Sequence, residues 1–212
     1  LKCGAHWPIG MQNDITYPFN GEDRDPLRHN CSGKHSGFLA LARHLGDNVE
    51  SYLDPDSRGQ KLVKQAIAEC CEFEPDRMAM GIDGCSAPNY PLPLANLALG
   101  FMKLATAKNG SSTSGALARI RAAMVAHPIL FSGRNRVDHN LMSAFPGKIV
   151  CKGGAEGLQA IGFSDPAIGI AVKVHDGNAR ALGAICFELL RQLSLLESST
   201  DMTSIQKYEH PE

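Results

Sequence analysis

The sequence lacks any apolar run close to the about 20 residues that a helix needs to cross a bilayer, and it lacks an excess of either charge. Its 212 residues include 21 Lys and Arg against 22 Asp and Glu, which gives a formal net charge of −1 at pH 7. No basic block interrupts this balance. The composition therefore argues against a membrane span and against a polyanionic partner such as a nucleic acid.

The cysteines lack the paired spacing of a disulfide framework. They are Cys3, Cys31, Cys70, Cys71, Cys85, Cys151 and Cys186. An odd number scattered over a chain of this length is typical of reduced thiols, so we expect a cytoplasmic protein without disulfides. The patterns around most of them favour simple burial, whereas Cys31 and Cys85 are each flanked by glycine, serine and a charged or amide residue.

Hydrophobic periodicity predicts an α+β protein. With 43% hydrophobic and 20% charged residues, the chain can bury a sizeable core. The predicted helices run from Asn30 to Gly46, from Asp54-Pro55 to about Cys71, over 94–105 as a central buried helix, over 111–125, over 138–145, and after Asn178. The predicted strands cover 78–82, 148–152, 158–163 and 167–174, and the last three form an antiparallel sheet with the final helix laid across it.

The remaining segments lack a period. Residues 1–28 are predicted to be irregular, with Trp7, Tyr17 and Phe19 anchoring a long loop, and residues 128–137 to be another loop. We expect one domain over 1–196, followed by a mobile tail over 197–212 that has few large apolar groups.

The stretch His29-Asn30-Cys31-Ser32-Gly33-Lys34-His35 is the densest group of reactive side chains. If Asn30 caps the following helix, Cys31 and Lys34 lie on one face of its first turn, with His35 one position further round. The helix dipole there favours a thiolate, the form that binds metal or attacks carbon. Taken alone, Cys-x-x-Lys is a weak motif that favours a surface helix with an ordinary buried cysteine and a solvated lysine.

Two further blocks contain polar residues at the ends of predicted strands. They are Gly81-Ile82-Asp83-Gly84-Cys85-Ser86-Ala87-Pro88 and Lys152-Gly153-Gly154-Ala155-Glu156-Gly157. Strand ends are favoured positions for functional sites. A turn cap would explain Asp83 without any function, and a solvated strand-end lysine would explain Lys152.

In this order the three blocks resemble signature segments of the rhizobial-type, or thermolabile, L-asparaginases of the L-asparaginase II family, and the resemblance covers nearly the whole chain except the tail. It implies a fold like that of the serine β-lactamases and penicillin-binding proteins. It also implies an amidohydrolase that uses serine-lysine pairs to convert L-asparagine to L-aspartate and ammonia, and a homodimer.

The resemblance implies a zinc site formed by Cys31, Lys34 and Cys85. Two thiolates and a nitrogen with an open fourth position form a plausible zinc site. Lysine is the unusual ligand, because a neutral amine at pH 7 costs roughly 4 to 5 kcal/mol from a reference pKa of about 10.4. We therefore expect weaker binding than at an all-cysteine site. Asp83 and His35, beside these ligands, would orient the site or bind the substrate.

Lys152-Gly153-Gly154 resembles the Lys-Thr-Gly block of the penicillin-recognising enzymes. By this resemblance Lys152 is catalytic and supplies positive charge near a nucleophilic serine. Gly153, which has no Cβ, would let the substrate lie against the strand edge. Strand alternation places Lys152 on the face of Val150 and Lys148, so it need not be buried.

The chain departs from the family pattern in its nucleophile. Relatives have a Ser-x-x-Lys upstream of the segment with which this chain begins, and the one copy here, Ser204-Ile205-Gln206-Lys207, falls in the predicted tail. The expectation is an asparaginase truncated at its N-terminus. The alternatives are a glutaminase or β-lactam hydrolase on the same fold, and a non-catalytic metal-binding remnant.

Overall fold

The structure is a computed structural model that describes residues 1–5, 24–110 and 112–209. The chain divides into two compact units, Leu1–Leu92 and Pro93–Glu212, where the sequence analysis expected one domain over 1–196. The predicted anchors Trp7, Tyr17 and Phe19 lie outside the described residues. No helix in the described ranges is both long and apolar enough to cross a membrane.

The first unit contains a pair of packed helices, as predicted. Helix α1 covers Ser32–Leu45 and ends at Gly46, whose positive φ of 70° lets its N–H reach the last carbonyls. Helix α2 covers Arg58–Cys71, and the Ser57 side chain caps it by accepting from the N–H of Gln60. The predicted start at Asp54-Pro55 is wrong, because the Asp54 carboxylate accepts from the N–H of Asp56 in a turn of its own.

A short hairpin follows, formed by β1 (Gly81–Ile82) and β2 (Pro88–Asn89). The two strands are antiparallel, and Ile82 is paired with Pro88. The prediction of a buried strand over 78–82 is wrong, since only Met78 is buried and Ile82 is 60% exposed. The two strands are joined by a tight turn from Asp83 to Ala87.

The second unit is built on the predicted three-stranded antiparallel sheet. Its strands are β3 (Ile149–Gly154), β4 (Leu158–Phe163) and β5 (Ile168–Lys173), in the order β3-β4-β5. In the register, Lys152 is paired with Ala160 and Gly153 with Gln159. Because side chains alternate along a strand, Lys152 and Gly153 project from opposite faces of the edge strand β3.

Helices cover both faces of this sheet. Helix α3 (Leu94–Thr106) lies on the face of Gly162 and Gly169, where a Cβ on either glycine would clash with the carbonyl oxygens of Phe101 and Ala98. The other face packs against α6 (Val137–Ala144) and α7 (Leu182–Gln192). The core there includes Leu141, Met142, Phe145, Ile149, Cys151, Ile161, Phe163, Cys186, Phe187 and Leu190.

The structure corrects two further predictions about helices. Only Leu104 and Ala105 of α3 are fully buried, so it covers one sheet face rather than being buried on every side. Helix α4 covers Ser112–Ala126. A short helix α5 over Pro128–Ser132 replaces part of the loop predicted over 128–137. Proline at its first position suits a helix start, because no N–H is required there.

The segment after α7 packs onto the second unit. It forms 3₁₀ turns at Met202–Ser204 and Gln206–Tyr208, and Ile205 between them is fully buried. The Tyr208 hydroxyl accepts a hydrogen bond from Asn140 Nδ2 at 2.8 Å. Residues 201–209 of the segment predicted as a mobile tail are therefore packed, and the mobility of the tail stays a prediction.

Candidate active site

The first group of predicted site residues lies at the start of α1. Cys31, rather than Asn30, occupies the N-cap position, and its side chain makes no capping hydrogen bond. Its backbone N–H donates to His29 Nδ1 at 3.0 Å, and Asn30 Nδ2 contacts Cys31 Sγ at 3.6 Å. The Cys31 thiol is therefore not used for capping, and Lys34 follows it in the first turn.

The turn of the β1-β2 hairpin is organised by Asp83. Its Oδ1 accepts from the N–H groups of Cys85 at 2.9 Å and Ala87 at 3.0 Å, and from the Cys85 thiol at 3.1 Å. Its backbone N–H donates to Ala87 O at 2.9 Å. Asp83 is thus the turn cap that the sequence allowed as an alternative, and it also orients the Cys85 side chain.

Lys34 joins the helix to this turn. Its Nζ forms an ion pair with Asp83 Oδ2 and donates a hydrogen bond to Cys85 Sγ at 3.1 Å. The Cys85 thiol is also hydrogen-bonded to Cys31. The structure therefore brings together the three residues predicted to bind metal, with Asp83 beside them.

The charges in this cluster follow from burial and pairing. Burial alone would raise the pKa of Asp83, but hydrogen bonds from Lys34 and the turn outweigh it and lower that pKa to about 2. Burial lowers the pKa of Lys34, yet its hydrogen bonds to Asp83 and Cys85 raise it above its ordinary value. Burial, together with the bond to Cys31, raises the pKa of the Cys85 thiol to about 12. At pH 7 the cluster contains a carboxylate, an ammonium and a neutral Cys85 thiol.

His35 lies behind the cluster rather than on the surface. The residue is fully buried, and its Nδ1 lies 2.7 Å from the hydroxyl of Tyr52, which also accepts from the backbone N–H of Lys2. Burial lowers the pKa of His35, and the Lys34 charge lowers it further, so the imidazole is neutral at pH 7. This burial favours an orienting role for His35 over direct contact with a substrate.

The second group of predicted site residues lies at the end of β3. Lys152 Nζ donates to Gly153 O at 2.6 Å and lies 3.6 Å from Asp138 Oδ2, while 46% of its side chain is exposed. A Cβ on Gly153 would lie 3.3 Å from Gln159 Oε1 and 3.4 Å from Asp138 Oδ1. The glycine therefore gives space to side chains of the protein on that face, and its predicted substrate contact stays a prediction.

Sequence reasoning missed Asp138 and Gln159. Both are buried, and Gln159 Nε2 donates to Asp138 Oδ1 at 2.7 Å. A signal was present, since Asp138 precedes Leu141, Met142 and Phe145 at helical spacing on the apolar face of α6. Gln159 likewise alternates with Ile161 and Phe163 on the apolar face of β4. A polar residue at a position where the helical or strand period requires an apolar one indicates a buried polar group.

The Ser-x-x-Lys sequence at 204–207 does not form a serine-lysine pair. Ser204 Oγ donates to the carbonyl of Asn140 at 2.8 Å, while Lys207 Nζ lies over the ring of Tyr208, 5.3 Å from its centroid. The hydroxyl is committed to a backbone acceptor and the ammonium to an aromatic face. This motif is therefore structural.

Metal-binding potential depends on which donors are considered. Within the described parts of the chain, no group of three or more His, Cys, Asp or Glu side chains is arranged to hold a metal ion. The predicted trio includes an amine, a donor outside that set. Two ligands of one zinc ion can be at most about 4.4 Å apart, given Zn–S near 2.3 Å and Zn–N near 2.1 Å. The 3.1 Å between Lys34 Nζ and Cys85 Sγ fits this limit.

The α+β architecture and the two polar clusters can be compared with known families. The family model for L-asparaginase II matches residues 1–212. The chain therefore belongs to the L-asparaginase II family, a family of amide hydrolases. A comparison with curated proteins found no match.

Proposed function

We propose that this chain is part of an amidohydrolase that converts L-asparagine and water to L-aspartate and ammonia. The observation that supports this most strongly is the L-asparaginase II family match over residues 1–212. The resemblance of the three blocks to the rhizobial-type enzymes extends the proposal to a β-lactamase-like fold, a serine nucleophile and a homodimer. The odd number of cysteines, scattered without the spacing of a disulfide framework, suits a cytoplasmic location.

Lys152 is the proposed catalytic residue of the second unit. Its ammonium is held at the end of β3, yet its side chain is nearly half exposed and can be reached by a reacting group. A positive charge there would stabilise the oxyanion that forms when a serine attacks the amide carbon. The serine would give its proton to the neutral lysine of its own Ser-x-x-Lys pair, and the Lys152 charge would support the second serine-lysine pair.

Cys31, Lys34 and Cys85 are the proposed zinc ligands of the first unit. Two thiols and an amine suit zinc, and the contacts among them support the assignment. A bound zinc would offer an open position to an oxygen of water or substrate. Asp83 would keep Cys85 and Lys34 oriented, Lys34 would release its proton to solvent on binding the metal, and His35 would hold the start of α1 through Tyr52.

A comparison of substrates tests the proposed reaction. Ammonia release would be measured for the protein that carries this sequence, with L-asparagine and L-glutamine at equal concentrations, alongside hydrolysis of a chromogenic β-lactam. We expect turnover of L-asparagine to exceed the other two by at least about 10-fold, because one methylene alone discriminates by about 10- to 200-fold. Preference for L-glutamine or the β-lactam would replace asparagine as the substrate. Failure with all three would leave a metal-binding remnant.

A further inference from the structure

The second unit contains a buried carboxylate that the proposed reaction does not use. Asp138 on α6 is 3% exposed. Its Oδ1 accepts from Gln159 Nε2 at 2.7 Å, and its Oδ2 accepts from Ser132 Oγ at 3.3 Å. A buried carboxylate is costly unless hydrogen bonds and an opposite charge compensate it.

Lys152 supplies the opposite charge. Its Nζ lies 3.6 Å from Asp138 Oδ2 and donates to Gly153 O at 2.6 Å. One donor of the ammonium is hydrogen-bonded to the Gly153 carbonyl, and the contact with Asp138, at 3.6 Å, is an ion pair longer than a hydrogen bond. The position of Nζ at the end of β3 is thereby determined by a helix on one side and by its own strand on the other.

The strand is shaped to bring this carboxylate close. Gly153 faces Asp138, and a Cβ at this position would lie 3.4 Å from Oδ1 and 3.5 Å from Oδ2. Gln159, the register partner of Gly153, holds Oδ1 from the neighbouring strand. Three elements, α6, β3 and β4, therefore converge on one carboxylate whose exposed neighbour is Lys152.

We propose that Asp138 is the positioning residue for Lys152, with Gln159 and Ser132 holding its carboxylate and Gly153 giving it space. The proposal rests on the proposed function, in which Lys152 is catalytic. In this proposal Lys152 is a fixed ammonium that stabilises negative charge and does not act as a base, because the partner of a buried carboxylate must be a cation.

A cycle of variants tests the coupling through activity. In Asp138→Asn the carbonyl oxygen can still accept from Gln159, while the charge is lost and the oxygen beside Ser132 becomes an amide donor. We expect kcat for L-asparagine to fall by about 10- to 100-fold, the cost of about 1 Å of misplacement, with KM within about threefold. In the Lys152→Ala background the same change should lower kcat by less than about threefold. Asp176→Asn, an exposed aspartate of the same unit, is the matched control and should behave like the parent.

Lys152→Arg separates a fixed cation from a proton acceptor. Arginine stays charged and can pair with Asp138 but cannot act as a base at ordinary pH. We expect this variant to retain at least about 10-fold more turnover than Lys152→Ala. Gln159→Met, which releases one carboxylate oxygen but keeps the charge, should lower kcat by less than Asp138→Asn does.

Thermal unfolding gives a readout that does not depend on activity. Lys152→Ala leaves the carboxylate without its cation and should lower Tm by about 2 to 4 °C. Adding Asp138→Asn should restore at least half of this loss, because no buried charge remains. A parent protein inactive on L-asparagine would overturn the proposed function, and the Tm cycle would then still decide the pairing.

Three results would overturn the positioning role. They are full kcat in Asp138→Asn, equal kcat losses from Asp138→Asn in the parent and Lys152→Ala backgrounds, and additive Tm changes in the double variant. If Lys152→Arg were as inactive as Lys152→Ala, the assignment of Lys152 as a fixed cation would be overturned.

Discussion

Deprotonation of Lys34 is the largest free-energy cost of metal binding at the proposed site. In the structure Lys34 is an ammonium bound to Asp83 and Cys85, and these bonds raise its pKa despite partial burial. The pKa of Cys85 is raised to about 12. A group with a raised pKa retains its proton at pH 7, so zinc must displace protons from both.

This proton competition gives a prediction about zinc affinity. The affinity should rise steeply with pH, because each step upward lowers the cost of deprotonating Lys34 and Cys85. The rise should continue beyond pH 9, since burial and the bond to Cys31 raise the pKa of Cys85 to about 12. Lys34→Met keeps the length of the side chain and removes the amine. Zinc titrations between pH 6 and 9 should show one proton fewer released per zinc in this variant, and weaker binding at the upper end.

The matched control is Lys61→Met, at an exposed lysine of the first unit that pairs with Asp56. It should bind zinc as the parent does at every pH. If Lys34→Met were equally indistinguishable from the parent, the lysine would not be a ligand, and the third donor would have to be Asp83 or His35.

Single residues differ in how far the sequence predicts them. The local structure around Cys31, Lys34 and Asp83 could be predicted, because the first two lie at the start of a helix and Asp83 lies in a turn that contains Gly84. The contact between these residues and Cys85 depends on how the hairpin packs on α1. The family resemblance implied this contact, whereas hydrophobic periodicity does not predict it. Asp138 and Gln159 were missed because each lies within a helix or strand pattern that the apolar neighbours alone are sufficient to define.

At the scale of elements, the segment after α7 shows how a short chain becomes attached. Ile205 is fully buried beside Leu190 and Leu195, and Ser204 and Tyr208 on either side bond to Asn140 of α6. Burial of one isoleucine together with two hydrogen bonds is enough to offset the ordering of a few residues. This segment therefore belongs to the core of the second unit.

Truncation of this isoleucine gives a second stability prediction. Ile205→Ala should lower the free energy of unfolding by about 2 to 5 kcal/mol, the usual cost of a buried isoleucine or leucine. The matched control is Ile120→Ala in α4, where the side chain is 50% exposed and the cost should stay below about 0.5 kcal/mol. Urea unfolding measures both, and equal costs for the two variants would show that Ile205 is not packed in the folded protein.

Elements with strong periodicity were predicted well. The three strands of the main sheet and helices α6 and α7 lie within a few residues of their predicted bounds, because alternation and helical spacing report directly on the buried face. Helices α1 and α4 also lie close to their predicted bounds, which followed from the residues expected to begin and end them. The errors fall where local hydrogen bonds decide. Asp54 turns the chain before α2. The strand predicted over 78–82 begins only at Gly81, because the strand paired with it in the described part of the chain has two residues.

At the scale of the whole molecule, each compact unit has a polar cluster of its own. The first contains the group of Cys31, Lys34, Asp83 and Cys85, and the second contains Lys152 with its buried carboxylate. Each cluster contains an ion pair between a partly exposed lysine and a more deeply buried aspartate. Such pairs are common at functional sites, and they are consistent with a hydrolase of the L-asparaginase II family.

The most direct measurement of the central claim is the rate of ammonia release from L-asparagine by the protein that carries this sequence, compared with its Lys152→Ala and Lys148→Ala variants. Both lysines lie on or beside β3 and are about half exposed, but Lys148 pairs with the exposed Glu197. The account predicts turnover in the parent, an unchanged rate in Lys148→Ala, and a loss of at least about 100-fold in Lys152→Ala. Ammonia release at the uncatalysed background in the parent, or equal rates in the two variants, would contradict it.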